Sequence, residues 1–173
     1  GRHYNRMLFV KPDGTVEHYD KRHLFRLAGE QQHYAAGMQR RLVDYKGWRL
    51  CLQVCYDLRF PVWSRNRGDY DVLLYVANWP ARRRVAWSAL LRARAIENLC
   101  YTVGVNRVGS DGNGASYAGD SAVYDFLGQS LGGEHGGDFV ETIVLDREAL
   151  DTFRRDFPAH LDADEFQLQG GIQ

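Results

Sequence analysis

The 173-residue chain has few of the features that indicate a disulfide-rich, membrane-spanning or nucleic-acid-binding protein. It contains three cysteines, an odd number without CxxC spacing, which favours a reducing, cytoplasmic compartment. Its longest uninterrupted apolar run covers residues 72–77, whereas a membrane-spanning helix needs ~18 or more. Acidic and basic residues balance at 22 each, so the broad positive field of a nucleic-acid-binding protein is missing. We therefore expect neither a membrane nor a nucleic acid as a partner.

Lysine is also rare, because three of the 22 basic residues are lysines and the others are arginines. Lys11 opens a Pro-Asp-Gly turn and Lys46 precedes a glycine at a hairpin tip, so both are predicted to be solvated turn residues. Lys21 lies in no such turn. It is therefore the lysine for which a chemical role is worth testing.

Strand and helix patterns alternate along the chain and predict a single α/β domain over 1–173. Alternating or continuous apolar runs predict strands over 7–10, 16–19, 41–44, 48–54, 71–77, 101–106, 122–126 and 139–145. Helical patterns predict a short helix from Pro61 to near Gly68, a longer one over 84–99, and a last one that Asp146 caps. A glycine-rich loop is predicted over 109–119, and residues 158–173 form a tail of the same domain that packs on another surface.

The helix predicted over 84–99 has apolar residues on more than one side. Its main apolar stripe is predicted to comprise Val85, Ala89, Ala93 and Ile96, and Trp87, Leu90 and Leu91 widen it. A helix of this kind packs on two sides. We therefore expect a homodimer or a higher homo-oligomer.

Cys55 is the cysteine best placed for chemistry, because it follows a predicted buried strand and precedes a turn and a helix. Backbone N–H groups near a helix start favour negative charge and are expected to lower the thiol pKa. Cys51 and Cys100 are interpreted as small core residues. A thiol nucleophile also needs a proton acceptor, for which the sequence offers His23, close to Lys21, or a carboxylate.

Three short motifs follow one another in the chain: YDKRHLF at 19–25, CYDLRFP at 55–61 and NWP at 78–80. Together they resemble the nitrilase superfamily of carbon-nitrogen hydrolases, and their sequences are most similar to those of bacterial omega-amidase-like proteins. Residues 92–98 and 104–109 are similar to the family's downstream pattern. The resemblance implies an α/β fold of four layers, an α-β-β-α sandwich, and a dimer in which the sheets of two subunits stack.

The resemblance also implies a Glu-Lys-Cys catalytic set. Lys21 matches the family's lysine, Cys55 its nucleophile, and Glu30 a second glutamate that helps to orient substrate and attacking water. An exposed loop acid is the alternative interpretation of Glu30. The family's first glutamate lies in an N-terminal β-α-β portion that precedes Gly1, so we expect this chain alone to be inactive or nearly so and a longer parent to be active.

Amide hydrolysis assigns a role to each implied residue. The Cys55 thiolate attacks the amide carbon, while the Lys21 ammonium and the N–H of Tyr56 stabilise the oxyanion that forms. A carboxylate then protonates the leaving ammonia and activates water. No metal ion or organic cofactor is implied, since the chain has neither a zinc-type nor a calcium-type spacing of ligands.

Substrate-binding residues are predicted after the strand over 71–77, because ligand crevices lie at the carboxyl ends of strands in α/β sheets. Asn78 and Trp79 occupy that place; a rigid loop with Trp79 in the core is the equal alternative. A substrate that carries a carboxylate needs a cation, for which Arg59 is suited, although Arg59 is equally well a partner of Asp57 or Glu97.

The leading hypothesis is an omega-amidase that acts on a 2-oxo acid amide. N-carbamoyl amino acids and nitriles are alternatives, because each presents an electrophilic carbon to the same thiolate. A further alternative is a non-catalytic homologue or binding subunit, since the first catalytic glutamate is absent from this chain.

Overall fold

The computed structural model describes residues 1–133 and 137–168, so the last part of the predicted tail, residues 169–173, lies outside the described residues. The strands are β1 Arg6–Val10, β2 Val16–Asp20, β3 Arg41–Tyr45, β4 Trp48–Val54, β5 Val72–Ala77, β6 Tyr101–Asn106, β7 Val108–Ser110, β8 Ser116–Ala118, β9 Ala122–Tyr124 and β10 Ser130–Gly133. The α-helices are α1 Pro61–Ser64, α2 Arg84–Asn98 and α3 Arg147–Asp156. None of the helices within residues 1–133 and 137–168 has the length and the apolar character of a membrane-spanning helix.

Six strands form one mixed sheet in the order β10-β9-β6-β5-β4-β3. Its centre, β4-β5-β6, is parallel, and the outer strands join it antiparallel. Parallel strands end at the same edge of a sheet, so the residues that follow β4 and β5 are neighbours in space. The sequence places Cys55 after β4 and Asn78 after β5.

The two faces of this sheet are covered by different elements. Helix α2 packs on one face through Trp87 and Leu91. The contact is close because β6 has Gly104 there, where an added Cβ would lie 2.4 Å from Leu91 Cδ1. The β1–β2 hairpin covers part of the other face with Met7 and Tyr19, and α3 covers a second part with Leu150.

This architecture confirms the expected α/β fold. Within the described ranges, the helix layer is α2, the first β layer is the six-stranded sheet, and the β1–β2 hairpin forms a second β layer. The two predicted hairpins and the strands over β5 and β6 are confirmed to within one residue at each end. The predicted cap of the last helix is also confirmed, since the Asp146 side chain accepts a hydrogen bond from the Ala149 N–H.

The strand predicted over 139–145 is wrong. These residues form no ladder, and the apolar side chains of Val140 and Val144 are exposed. A strand needs a neighbour for its backbone hydrogen bonds, and residues 139–145 make no backbone hydrogen bond to the outermost strand, β10. The Glu141 carboxylate instead accepts a hydrogen bond from the Gly133 N–H at 2.6 Å. The loop predicted over 109–119 contains a short hairpin, β7–β8, rather than loop alone.

Helix α1 ends at Ser64 rather than near Gly68. Arg65 leaves the helical conformation, and the Asn66 side chain then donates to the carbonyl oxygens of Tyr70 and Asn98. Asparagine side chains compete in this way with helical hydrogen bonds. The amide of Asn66 therefore replaces the expected further turn.

The predicted stripe of α2 is also wrong. Val85 is 81% and Ile96 47% exposed, whereas the buried face includes Trp87, Arg94 and Asn98. The two polar residues are buried because their hydrogen bonds are made: Arg94 Nη2 donates to the carbonyl of Leu58 at 2.7 Å, and Asn98 Oδ1 accepts from a backbone N–H. Apolar periodicity alone does not identify buried polar residues whose hydrogen bonds are made to other segments of the chain.

Candidate active site

An open cavity of about 660 Å³ lies at the carboxyl ends of β4 and β5. The six residues that the sequence predicted for the site all line it: Lys21, Glu30, Cys55, Tyr56, Asn78 and Trp79. The segment after β2 supplies the lysine and the glutamate, whereas the segments after β4 and β5 supply the others. The long-range packing of the β1–β2 hairpin on the sheet therefore brings the separate motifs together.

Cys55 follows β4 directly and is the first residue of the 3-10 helix Cys55–Arg59. Its φ is +48°, a left-handed conformation that costs a residue with a side chain about 1–3 kcal/mol. Strain of this kind persists only where surrounding contacts impose it. The N–H of Tyr56 follows in the first turn of the 3-10 helix, where N–H groups have no partner within the helix.

The thiol pKa differs from the sequence expectation. Burial raises the pKa of the Cys55 thiol, and the opposing effects of the Lys21 ammonium and of a hydrogen bond from the Asn78 N–H do not outweigh it. The expectation of a lowered thiol pKa is therefore wrong, because desolvation is a tertiary effect that a turn motif does not reveal. At neutral pH the thiol is protonated, so its attack on a carbonyl requires a base.

Lys21 is a buried cation that pairs with the carboxylate of Glu30. Its Nζ lies 2.5 Å from Oε2 of Glu30, and its side chain is 4% exposed. The backbone of Lys21 is held on both sides, because its N–H donates to the carbonyl of Asn5 and its own carbonyl accepts from Gly37. Gly37 permits this approach, since an added Cβ would lie 2.0 Å from the carbonyl oxygen of Asp20.

Glu30 is not the exposed loop acid of the alternative interpretation, because its side chain is 10% exposed. Its carboxylate accepts hydrogen bonds from Lys21 Nζ, from the Phe25 N–H at 2.6 Å and from Asn5 Nδ2 at 2.8 Å. Burial acts to raise the pKa of Glu30, but these bonds outweigh it, so the pKa is lowered below its usual range. Glu30 is thus ionised, and its carboxylate already accepts hydrogen bonds from Lys21, Phe25 and Asn5.

Asp57 links the lysine segment to the cysteine turn, a role that the sequence analysis missed. Its fully buried carboxylate accepts hydrogen bonds from the Tyr19 hydroxyl at 2.9 Å and the Val54 N–H at 3.1 Å through Oδ2. The other oxygen, Oδ1, contacts the N–H and Nδ1 of His23 at 2.9 and 2.8 Å. Tyr19 and His23 flank Lys21, and Val54 precedes Cys55. One carboxylate therefore holds both candidate catalytic segments.

His23, the proton acceptor considered from the sequence, is engaged elsewhere. Its ring stacks on Phe60 at 3.8 Å and its Nδ1 contacts Asp57. It is not among the residues that line the cavity. The geometry thus gives His23 a structural position beside the site rather than in it.

Arg59 lines the cavity without forming either of the ion pairs considered for it. The carboxylate of Asp57 is occupied as described above, and Glu97 pairs with Arg94 at 2.9 Å. The Arg59 guanidinium instead lies 5.1 Å from the ring centroid of Trp79. Trp79 is 3% exposed and packs against Trp87, so its interpretation as a core residue is confirmed. It also lines the cavity, and its contact with a substrate stays a prediction.

Metal ligation has no support in the described ranges, where no group of three or more His, Cys, Asp or Glu side chains is placed to hold an ion. The chemistry that the cavity offers is that of a thiol, a buried ammonium and several guanidinium groups. These are the groups that an acyl-transfer site uses.

The carbon-nitrogen hydrolase family model matches residues 1–152. The omega-amidase YafV of Escherichia coli (strain K12) is 56% identical over 168 residues, which cover 95% of this chain and 64% of that protein. A 2-oxoglutaramate amidase of Bacillus subtilis (strain 168) is 36% identical over 151 residues, which cover 84% of this chain and 58% of that protein. The chain thus spans less than two thirds of the length of these relatives.

A similar solved structure is a carbon-nitrogen hydrolase superfamily protein of Xanthomonas campestris, described with an arsenic adduct in its active site. It matches with a TM-score of 0.94 at 54% identity, over 96% of this chain and 66% of that chain. This chain and the Xanthomonas campestris protein therefore share the fold of a mixed sheet with packed helices.

Proposed function

Because the chain belongs to the carbon-nitrogen hydrolase family, we propose that it carries the thiol centre of an amidase. The reaction is hydrolysis of a small carboxylic amide to an acid and ammonia through a Cys55 thioester. One observation carries this proposal: the Cys55 thiol and the buried Lys21 ammonium line the same cavity at the carboxyl end of the sheet.

The proposed reaction has two stages. Cys55 Sγ loses its proton to a base and forms a bond to the amide carbon, and the carbonyl electron pair moves to the oxygen. Lys21 Nζ and the Tyr56 N–H stabilise that oxyanion, which collapses to a thioester as the protonated nitrogen leaves as ammonia. Water then attacks the thioester carbon, the C–S bond breaks, and the thiol regains its proton.

The base in this scheme is not Glu30. Glu30 already accepts hydrogen bonds from Lys21, Phe25 and Asn5, and its lowered pKa makes it a weak acceptor. A protonated thiol nevertheless needs a base. We propose that this base is a glutamate outside the 173 residues, and that Glu30 orients Lys21 and the substrate. The length of the relatives, which exceeds that of this chain, supports this proposal.

The proposed substrate is the terminal amide of a 2-oxo acid. Two relatives support it by name, one as an omega-amidase and the other as a 2-oxoglutaramate amidase. The Arg59 guanidinium lines the cavity and has no acidic partner within residues 1–133 and 137–168, which supports an anionic substrate. Nitriles and N-carbamoyl amino acids are the alternative substrates, and a non-catalytic binding subunit is the alternative role of the chain.

Ammonia release distinguishes these possibilities. The full-length protein and the 173-residue chain are incubated with 2-oxoglutaramate, an aliphatic nitrile and an N-carbamoyl amino acid. We expect ammonia from the full-length protein with 2-oxoglutaramate and almost none from the chain alone. Equal rates from both would overturn the proposed external base, and faster turnover of the nitrile or the N-carbamoyl compound would overturn the substrate. No turnover of any compound by the full-length protein would favour the binding subunit.

A homodimer and a cytoplasmic location complete the proposal. Exposed Val85 and Ile96 on α2 support a further packing surface, and the three cysteines are free thiols, which suits a reducing compartment. Sedimentation of the full-length protein at micromolar concentration tests the first point. A monomer there would contradict it.

A further inference from the structure

Three arginines that line the cavity have no acidic partner in the described ranges: Arg59, Arg82 and Arg83. Arginines elsewhere form ion pairs, for example Arg40 with Asp69, Arg84 with Asp120 and Arg154 with Asp71. The acids that line the cavity are Glu30 and Asp111. Glu30 is paired with Lys21, and Asp111 accepts a hydrogen bond from Tyr117 at 2.7 Å. The cavity therefore has an excess of positive charge.

Arg83 differs from the other two because it is half-buried, whereas Arg59 and Arg82 are exposed. Its backbone is fixed at the start of α2: the N–H donates to the carbonyl of Pro80, and the carbonyl accepts from Trp79 Nε1 at 2.9 Å. A partly desolvated cation interacts more strongly with a bound anion than an exposed one does. Arg83 is thus the strongest candidate for an anion contact.

The Arg83 side chain lies near the turn that contains Cys55 and Tyr56. Its guanidinium is 5.3 Å from the ring centroid of Phe25, and that ring contacts the ring of Tyr56, the residue after Cys55, at 4.9 Å. Stacking on an aromatic ring restricts the guanidinium and leaves its edge N–H groups available for hydrogen bonds. Those N–H groups have no acceptor in the part of the chain that the structure describes.

We propose that Arg83 binds the carboxylate of the substrate and thereby selects amides that carry a negative charge over neutral amides. The inference rests on the proposed function and deepens it, because it names the residue that recognises the anionic end. A planar guanidinium with free N–H groups suits a carboxylate, which it contacts through two parallel hydrogen bonds. Trp79 supports the site, since it fixes the Arg83 carbonyl and stacks with Arg59.

Binding to inactive variants tests this inference. The full-length protein with Cys55→Ala is titrated with succinamate, an amide that carries a carboxylate, and with butanamide, its neutral counterpart. We expect succinamate to bind more tightly, and the added change Arg83→Gln to weaken succinamate about tenfold while butanamide is unaffected. Arg83→Lys retains the positive charge but loses the planar guanidinium that makes two parallel hydrogen bonds. We therefore expect it to restore only part of the succinamate affinity.

Arg26→Gln is the matched control, because it removes the same charge from an exposed residue next to Phe25 that does not line the cavity. We expect less than a twofold loss of succinamate affinity. An equal loss in the Arg26 and Arg83 variants, unchanged affinity in the Arg83→Gln variant, or equal binding of both amides by the Cys55→Ala parent would each overturn the inference. Ammonia release tests the proposed function separately: turnover with unchanged binding in Arg83→Gln removes this inference alone.

Discussion

The two ends of the parallel strands use charge in opposite ways. At the amino end of β5, the buried Asp71 carboxylate contacts Arg49, Arg147 and Arg154 at 2.8–3.0 Å. At the carboxyl end, a strained Cys55 faces a cavity with guanidinium groups that lack acidic partners in the described ranges. Compensated charges hold elements together, whereas uncompensated charges at a cavity remain available for a ligand.

Removing the Asp71 charge is expected to produce the largest loss of stability. Asp71→Asn leaves three arginines without their carboxylate, and breaking a buried ion pair in this way costs about 3–5 kcal/mol of unfolding free energy. Urea unfolding of the wild type and the variant measures this loss of unfolding free energy. The matched control is Asp151→Asn, which loses an exposed contact with Arg147 at 3.9 Å and is expected to change stability by less than about 1 kcal/mol. Similar losses of unfolding free energy in both variants would contradict the stabilising role of the Asp71 ion pairs at the amino end of the strands.

Asp57→Asn is expected to affect both stability and reactivity, because Asp57 holds the segments that carry Lys21 and Cys55. A misplacement of about 1 Å is worth up to roughly 100-fold in rate, so ammonia release by the full-length protein falls by about that factor. The pH profile of Cys55 alkylation shifts as well, since the distance to the Lys21 ammonium changes. A variant with reduced stability but an unchanged alkylation profile would make Asp57 purely structural.

Lys21→Gln is expected to slow alkylation of Cys55 at neutral pH. The Lys21 ammonium lowers the thiol pKa against the larger effect of burial, so its removal raises the pKa further and reduces the thiolate fraction. Iodoacetamide labelling across pH 7–10, followed by intact mass, measures the change. Lys46→Gln provides the control, because Lys46 lies in the turn between β3 and β4 and is not among the residues that line the cavity. Faster labelling of the Lys21 variant would contradict the assigned electrostatics.

Acid is expected to remove the contribution of Asp71 gradually. Burial acts to raise the pKa of Asp71, but the hydrogen bonds from its three arginines outweigh it and hold the pKa well below its usual range. A carboxyl whose pKa is depressed in the folded state contributes its full stability above the unfolded-state pKa of about 4, and loses it as the pH falls toward the folded-state value. The stability gap between the wild type and Asp71→Asn is therefore expected to narrow below about pH 4. A gap that does not depend on pH would contradict this assignment.

The sequence predicted the parts of the site that local patterns encode. Cys55 was identified because a buried strand ends before it, and Lys21 because lysine is rare and a family motif surrounds it. The link that Asp57 makes between two segments was missed, and so was the position of Arg83, which we propose binds the substrate carboxylate. The partners of both residues lie far away in the sequence: Asp57 contacts Tyr19, and Arg83 stacks on Phe25.

The wrong predictions about the thiol pKa, the strand over 139–145 and helix α2 also arise from contacts between residues that are far apart in the sequence. The thiol pKa and the strand over 139–145 were predicted wrongly because burial and strand pairing depend on neighbours that are distant in the chain. The buried face of α2 was predicted wrongly because it includes Arg94 and Asn98, whose hydrogen bonds are made to other segments.

Mass spectrometry of the full-length protein, quenched in acid during turnover of 2-oxoglutaramate, tests whether Cys55 is the nucleophile. We expect an acyl adduct on the peptide that contains Cys55, with a mass equal to that of the substrate minus ammonia. The adduct and the ammonia release should both disappear in Cys55→Ala. Continued turnover by that variant, or an adduct on Cys51 or Cys100 instead, would contradict the assignment of Cys55 as the nucleophile.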